Sequence, residues 1–297
     1  MNIAVILAGG TGSRTGCEIP KQYLEAWGRP MIAFCMETFF THEDVDAVQI
    51  VAEGTWKELI LRQITHLEEK AVREQAAGGK AVGEKTAGEK AAGGKAVGGN
   101  PAGEQAAGEK AVGGNPAGKR TVAGRFRGFS MPGANRQMSI LNALSNIREY
   151  AAEGDTVMIH DAARPFVTSA QISACLRAME GHDGVIPVLP MKDTVYMGDG
   201  KRICSLLERE RIYAGQAPEL FLFGKYYAAN MALLPERILS VNGSTEPAVL
   251  AGMDIVMVEG DENNFKVTTA GDVKRFRERC EGNEDFLSLQ KAQTKKI

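Results

Sequence analysis

The chain has 297 residues, 44% of them hydrophobic, and 35 basic against 37 acidic side chains leave a formal charge of −2. That balance offers no basic field for nucleic acid, and the apolar content is that of an ordinary globular protein. Five scattered cysteines (Cys17, Cys35, Cys175, Cys204, Cys280) with no C-x-x-C pair argue against zinc and against a disulfide framework. No run approaches the roughly 18 apolar residues of a membrane helix, and no charged segment precedes the first apolar run, so neither a membrane partner nor export is expected and a cytoplasmic setting is.

The first element, IAVILA at residues 3–8, is a continuous apolar run ended by glycines, the pattern of a buried parallel strand. Residues 31–40 have helical length and period, residues 47–53 read as a second strand, and residues 55–72 as a helix. That helix runs into ten copies of a five-residue unit over 71–120, from AVREQ to PAGKR, without Leu, Ile or an aromatic residue. Such a segment buries too little apolar surface to offset its ordering entropy, and the reading is a disordered insertion on the surface. Without it, residues 1–70 and 121–280 make one α/β domain, followed by a flexible polar tail at 281–297.

Strand 126–131, helix 139–153, strand 156–160, helix 169–181 with Ser169 as N-cap, and strand 184–190 continue the alternation. Residues 193–209 break it: two short runs around Gly198-Asp199-Gly200 read as a hairpin outside the rhythm, a projecting arm. A strand-to-helix unit at 220–234, a strand at 254–260 and a last helix capped by Thr269, with Asp272 in its first turn, complete the chain. The predicted fold class is α/β: a single doubly wound, mostly parallel, Rossmann-like sheet carrying a β-hairpin arm, with ligands at the carboxyl ends of its strands.

The stretch LAGGTGSRTGCEIPKQY leaves strand one at that edge. A dinucleotide fingerprint needs G-x-G-x-x-G, and here the third glycine, Gly16, comes one residue late with Arg14 intruding; a P-loop needs Lys-Ser or Lys-Thr after its glycines, and none follows. A third reading is a nucleotidyltransferase loop, whose bare backbone approaches a triphosphate while Arg14 and Lys21 neutralise charge on the α-phosphate during transfer.

Taken with the rest of the chain, this stretch resembles the cytidylyltransferases that act on methylerythritol phosphate and on ribitol phosphate. PGANRQMSI resembles the G-G-x-x-R-x-x-S-V segment of that family, MIHDAARPFV its H-D-A-A-R-P motif, PMKDTVY its V-x-D-T, QAPELF its Q-T-P-Q-x-F and NNFKVTT its N-I-K-[VIL]-T. The resemblance covers everything except the repeat and the tail. It implies a CTP site from Ala8, Gly9, Gly10 and Gly12 with Arg14 and Lys21, and Gly133, Arg136 and Ser139 on the cytosine and ribose side. It further implies Asp161 and Arg164 where nucleotide meets acceptor, and Thr194, Arg209 and Lys266 on the acceptor phosphate and polyol. Arg14, Lys21 and Asp161 would be the catalytic set.

Mg²⁺ would ride on the CTP phosphates with no protein metal site of its own, and His160 is read as a packed histidine rather than a base. The resemblance further implies a homodimer in which the 193–209 arm reaches over the twofold-related subunit. The chain departs from the family at Ala134, where the family has an acid, at Ala217, where it has Thr, and at GSTEP (243–247), which replaces T-D-[DE]; all three are expected in or near the substrate site. HDAARPF and KDT favour methylerythritol phosphate as acceptor, while ILAGGTG and YAGQ favour ribitol phosphate. A nucleotide-binding protein without turnover is a third reading, against which the retention of Arg14 and Lys21 speaks.

Overall fold

The computed structural model describes residues 1–10, 19–83 (backbone alone over 75–83) and 121–281. Its centre is four parallel strands, β1 (Asn2–Leu7), β2 (Ala47–Val51), β3 (Phe126–Ser130) and β4 (Thr156–Asp161), in the order β3-β2-β1-β4. β1 shows why the apolar run is continuous. Its alternate residues face opposite sides: Ala4 and Ile6 pack with Met36, Phe39 and Ile60 of one layer, Ile3 and Val5 with Ile140, Leu144 and Tyr226 of the other, and all four are fully buried. The first layer carries helices α1 (Ile32–Thr41), α2 (Lys57–Gly83) and α4 (Ser169–Ala178); the second carries α3 (Arg136–Ile147) and α5 (Phe223–Met231).

The far half of the sheet is mixed. Beyond β4 comes β9 (Glu219–Leu222), then β5 (Gly184–Pro190) and β10 (Ile255–Glu259). β9 runs antiparallel to both neighbours, as does β8 (Tyr213–Gly215) along the end of β5, while β10 is parallel to β5. Between β5 and β8 the chain makes the arm, β6 (Tyr196–Gly198) paired antiparallel with β7 (Ile203–Leu206), and it returns from the carboxyl edge, so β8 and β9 run against the rest. The turn is made by Gly200 at φ +93° and by Asp199, whose Oδ1 accepts from the backbone N–H of Lys201 and Arg202 at 2.9 and 2.8 Å. Every residue of β6 and β7 is exposed, including Ile203 and Leu206 at 66% and 69%.

Three expectations change. Helix α2 does not stop at the repeat: it continues through Gly83, so 71–83 is helical, and 84–120 lies outside the described residues. Ala71 still packs on the core, and extending a formed helix through Ala-, Glu- and Gln-containing sequence needs no new nucleus. Helix α3 begins at Arg136 rather than 139, because Asn135 caps it by accepting from the Met138 N–H at 2.8 Å. Helix α4 is capped by Thr168, not Ser169, the Thr168 hydroxyl accepting from the Gln171 N–H. At the last helix, α6 (Ala270–Glu281), Thr269 accepts from the Asp272 N–H while the Asp272 carboxylate accepts from Thr268 and Thr269, a capping box. No helix among the described residues is long and apolar enough to cross a membrane.

Candidate active site

A crevice of about 420 Å³ opens at the carboxyl ends of β1, β2 and β4. On one wall the chain leaves β1 through Ala8, Gly9 and Gly10. Gln22 Nε2 donates to the carbonyls of Ala8 and Gly10, both at 2.7 Å, and the Tyr23 hydroxyl donates to Ala8 O at 2.9 Å. These bonds fix the backbone carbonyls of Ala8 and Gly10. Tyr23 is itself held by stacking on Trp56, ring centroids 4.2 Å apart. Gly9 is required by contact: a Cβ there would stand 2.5 Å from Pro132 Cγ. At Gly10 no described residue lies within 4 Å of a Cβ, and Gly10 lines the crevice. Lys21 enters from the short helical turn Lys21–Tyr23.

The opposite wall is the start of α3. The Ser139 hydroxyl donates to Asn135 O and accepts from the Gly133 N–H, each at 2.9 Å, which folds 133–135 back onto the helix. Asn135 Nδ2 donates to Ile238 O at 2.9 Å and ties this corner to the outer layer.

The floor is Asp161, the last residue of β4. Its Oδ1 accepts from Arg136 Nε at 3.0 Å and its Oδ2 pairs with Lys266 Nζ at 2.7 Å. Burial pushes the carboxyl pKa up, but Arg136, Lys266 and Arg164 outweigh it and hold the group below the usual carboxylate range. His160 beside it is fully buried, and burial lowers its pKa to about 4; its Nε2 lies 3.0 Å from Arg164 O, and its ring packs on Phe39. A neutral, enclosed imidazole agrees with the packing role read from the sequence.

The segment carrying Lys266 is fastened from beneath. Arg164 Nη1 donates to Asn264 O at 2.7 Å, Asn264 Nδ2 to Ala217 O at 2.7 Å, and the Val267 N–H to Ala163 O at 2.8 Å. Gln216 exchanges two hydrogen bonds with the Asp261 backbone, both at 2.9 Å.

Among the residues expected from the sequence, Gly9, Gly10, Lys21, Gly133, Arg136, Ser139, Asp161 and Lys266 line this one crevice. Ala8 lies just beneath, 1% exposed. Arg164 is spent on the backbone carbonyls of Asn264 and Gly215. Thr194 and Arg209 are exposed at the base of the arm and do not line the crevice, with Arg209 turned to Lys192 O and Glu210. Gly12 and Arg14 lie outside the described residues.

The three departures prove unequal. Ala134 lines the crevice, but Ala217 is buried and the Ser244 and Thr245 hydroxyls are turned onto Glu219 Oε2 at 2.5 and 2.7 Å. Ala217 is thus an internal substitution, and in the 243–247 segment the two hydroxyls are engaged within the protein. Gln22, Tyr23 and Trp56 were not singled out in the sequence, although Gln22 and Tyr23 follow Lys21 directly in PKQY.

An open α/β sheet whose first strand ends in glycines, with cations converging on a carboxylate at the sheet's carboxyl edge, is an arrangement suited to a phosphate-bearing ligand. The sequence profile of the 2-C-methyl-D-erythritol 4-phosphate cytidylyltransferase (IspD) family matches residues 2–80 and 129–277, and the chain belongs to that family. It is 28% identical over 272 residues to the 2-C-methyl-D-erythritol 4-phosphate cytidylyltransferase of Cereibacter sphaeroides, covering 92% of this chain and 93% of that one. It is 28% identical over 274 residues to the bifunctional enzyme IspD/IspF of Rhodospirillum rubrum, covering 92% of this chain. The chain spans about half the length of the bifunctional relatives, 55% of that one and 56% of the counterpart from Paramagnetospirillum magneticum. Two solved structures share the fold at 18% identity: the cytidylyltransferase of Francisella tularensis (TM-score 0.62, 92% of this chain, 97% of that one) and the 4-diphosphocytidyl-2C-methyl-D-erythritol synthase of Anaerococcus prevotii (TM-score 0.63, 94% and 96%).

Proposed function

We propose that the protein transfers CMP from CTP to the phosphate of 2-C-methyl-D-erythritol 4-phosphate, releasing pyrophosphate. The observation that carries this is the division of Asp161: one oxygen holds Arg136 on the nucleotide wall and the other holds Lys266 on the opposite side. A single buried carboxylate thus fixes a cation for each of two phosphate-bearing partners. In the step itself, an oxygen of the acceptor phosphate attacks the α-phosphorus in line as the bond from that phosphorus to the bridging oxygen of the β-phosphate breaks, and pyrophosphate carries the electron pair away. Lys21 beside Gly10, joined by Arg14, meets the charge that develops on the phosphates. No base is needed, because a phosphate oxygen is already the nucleophile, and no covalent enzyme intermediate is invoked.

Among the described residues no group of three or more His, Cys, Asp or Glu side chains is placed to hold a metal, and both oxygens of Asp161 are engaged. We read Mg²⁺ as a passenger of the triphosphate, where it would neutralise phosphate oxygens. The methylerythritol acceptor is favoured over ribitol phosphate by the family profile and by the names of the relatives.

Thr194 and Arg209 stand away from the crevice on an arm with exposed apolar side chains, and an isolated two-stranded hairpin is marginal in water. The reading that accommodates both facts is a homodimer in which each arm completes the partner's acceptor site. Both substrates are small and water-soluble, which suits a cytoplasmic setting. The test is pyrophosphate release from CTP with each acceptor in turn. Turnover with methylerythritol phosphate, and little with ribitol phosphate or with UTP in place of CTP, is expected; turnover with ribitol phosphate alone would reassign the acceptor.

A further inference from the structure

Lys266, which holds one oxygen of Asp161, sits in a segment that α6 grips from outside the crevice. Asn264 is fastened to Arg164 and Ala217, and the Val267 N–H to Ala163 O. Between those anchors stands Phe265, where the family motif N-I-K carries Ile. The Arg275 guanidinium of α6 lies over its ring, 3.9 Å from the centroid, and Phe166 packs beside it with centroids 5.6 Å apart. A cation over a ring at that distance is an attraction that Ile does not offer. One turn further along α6, Arg279 Nη1 donates to Asn263 Oδ1 at 2.8 Å, and its guanidinium lies 5.0 Å from the Phe166 centroid. Phe166 belongs to the loop that leaves Asp161, so Arg279 touches both segments whose side chains meet in the Asp161–Lys266 pair. The i, i+4 spacing puts the two arginines on one face of the helix. The helix is itself tied to the same segment, since the Asp272 carboxylate accepts from the Thr268 and Thr269 N–H groups at 2.9 and 2.8 Å. Both arginines are exposed, and neither lines the crevice.

We propose that Arg275 and Arg279 are positioning residues for Lys266: they clamp Phe265 and Asn263 from outside and hold the Lys266 ammonium where the acceptor phosphate arrives. The inference rests on the cytidylyltransferase reading for Lys266 as an acceptor cation. It also gives the Phe at position 265 a task, offering its face to Arg275.

An exposed cation–π contact is worth about two- to fivefold in an equilibrium, and an exposed hydrogen bond about the same. The experiment is steady-state pyrophosphate release with Mg²⁺, varying CTP and 2-C-methyl-D-erythritol 4-phosphate in turn (ribitol phosphate if wild type uses only that). The proteins are wild type, Arg275→Gln, Arg275→Lys, Arg279→Gln, Arg275→Gln/Arg279→Gln, Phe265→Ile and Phe265→Ile/Arg275→Gln, with a thermal midpoint for each. Expected is an acceptor KM raised about threefold by each single glutamine and about tenfold by the pair. Both kcat and the KM for CTP should stay within about twofold of wild type, because lost uniform binding raises KM alone. Arg275→Lys keeps a cation over the ring and should fall between wild type and Arg275→Gln. In the Phe265→Ile background, Arg275→Gln should add nothing, since the ring through which it acts is gone.

An acceptor KM within about twofold of wild type in the double glutamine variant would overturn the proposal. A parallel rise in the KM for CTP would overturn it too, being the mark of a weakened overall field or a loosened fold. So would a full threefold effect of Arg275→Gln on top of Phe265→Ile. Should Phe265→Ile not accumulate as folded protein, Arg275→Lys decides: an acceptor KM between those of wild type and Arg275→Gln supports the clamp, and one equal to that of Arg275→Gln overturns it. Wild type that turns over neither polyol phosphate sinks the functional reading and this inference with it, whereas wild-type turnover with unchanged arginine variants sinks this inference alone.

Discussion

Gly133→Ala tests the geometry of the crevice at its tightest point. A Cβ at Gly133 would stand 2.4 Å from Met138 Cβ, 2.7 Å from the Met138 carbonyl carbon and 2.9 Å from Ser139 N. Ordinary contact begins near 3.4 Å, so these atoms must part by about 1 Å, and two of them are backbone of the first turn of α3. The movement cannot stay local: it breaks the Gly133 N–H to Ser139 Oγ bond and shifts the turn that carries Arg136. Overpacking of this kind costs about 1–3 kcal/mol, which at this size lowers the thermal midpoint by roughly 2–12 °C. Displacement of a substrate-holding group by about 1 Å costs on the order of 10²-fold in kcat/KM. The assay is a melting curve together with pyrophosphate release, with Gly10→Ala alongside. At Gly10 the added methyl meets no described residue, so that variant keeps its stability within about 0.5 kcal/mol of wild type. Wild-type kinetics in Gly133→Ala, or an equal loss of stability in Gly10→Ala, would refute the reasoning.

His160 gives a pH signature. Its folded pKa of about 4 lies below the ordinary 6.5, so its contribution is fully present above pH 6.5 and is lost as pH falls toward 4, on the order of 3 kcal/mol over that window, and His160→Gln should flatten the midpoint-versus-pH curve there; parallel curves would contradict the buried neutral imidazole. Removing 84–120 with a Gly/Ser joint of about ten residues, long enough to run back the roughly 20 Å of helix beyond Ala71, should leave midpoint and turnover near wild type, because Ala71 is the last α2 residue seen packed on the core; a large loss of either would give the insertion a structural part. Lys21→Ala should lose about 10²-fold in kcat, and when it is unfolded and refolded together with Arg209→Ala, activity should return toward about a quarter of wild type if arms are exchanged between subunits; no recovery would place a complete site in each subunit.

The parallel half of the fold was legible because a strand buried on both faces must be apolar throughout: IAVILA and AVQIV show it, and both became central strands. The direction of β9 was not legible, since ELFL carries the same apolar signature whichever way it runs; only the return of the chain from the arm decides it. The cap of α4 was displaced by one residue because two hydroxyls, Thr168 and Ser169, compete for the same helix end, whereas the Thr269 cap stands as read. Within the site, the charged and glycine positions were visible as residue types that a phosphate-binding loop needs. The residues that hold them in place were not, because a buried Gln22 or a half-buried Glu219 is recognisable only from its partners in three dimensions. The same limit explains the 243–247 segment: a change of letters next to a substrate motif looks like altered specificity until Glu219 is seen accepting from both hydroxyls.

The most direct test of the central claim follows phosphorus itself. A ³¹P NMR time course of protein, Mg²⁺, CTP and 2-C-methyl-D-erythritol 4-phosphate should show the acceptor's phosphomonoester signal falling in step with the rise of a new diphosphate pair and of free pyrophosphate. CTP consumed to CMP while the phosphomonoester stays constant, or CTP left intact, would contradict transfer to the acceptor phosphate.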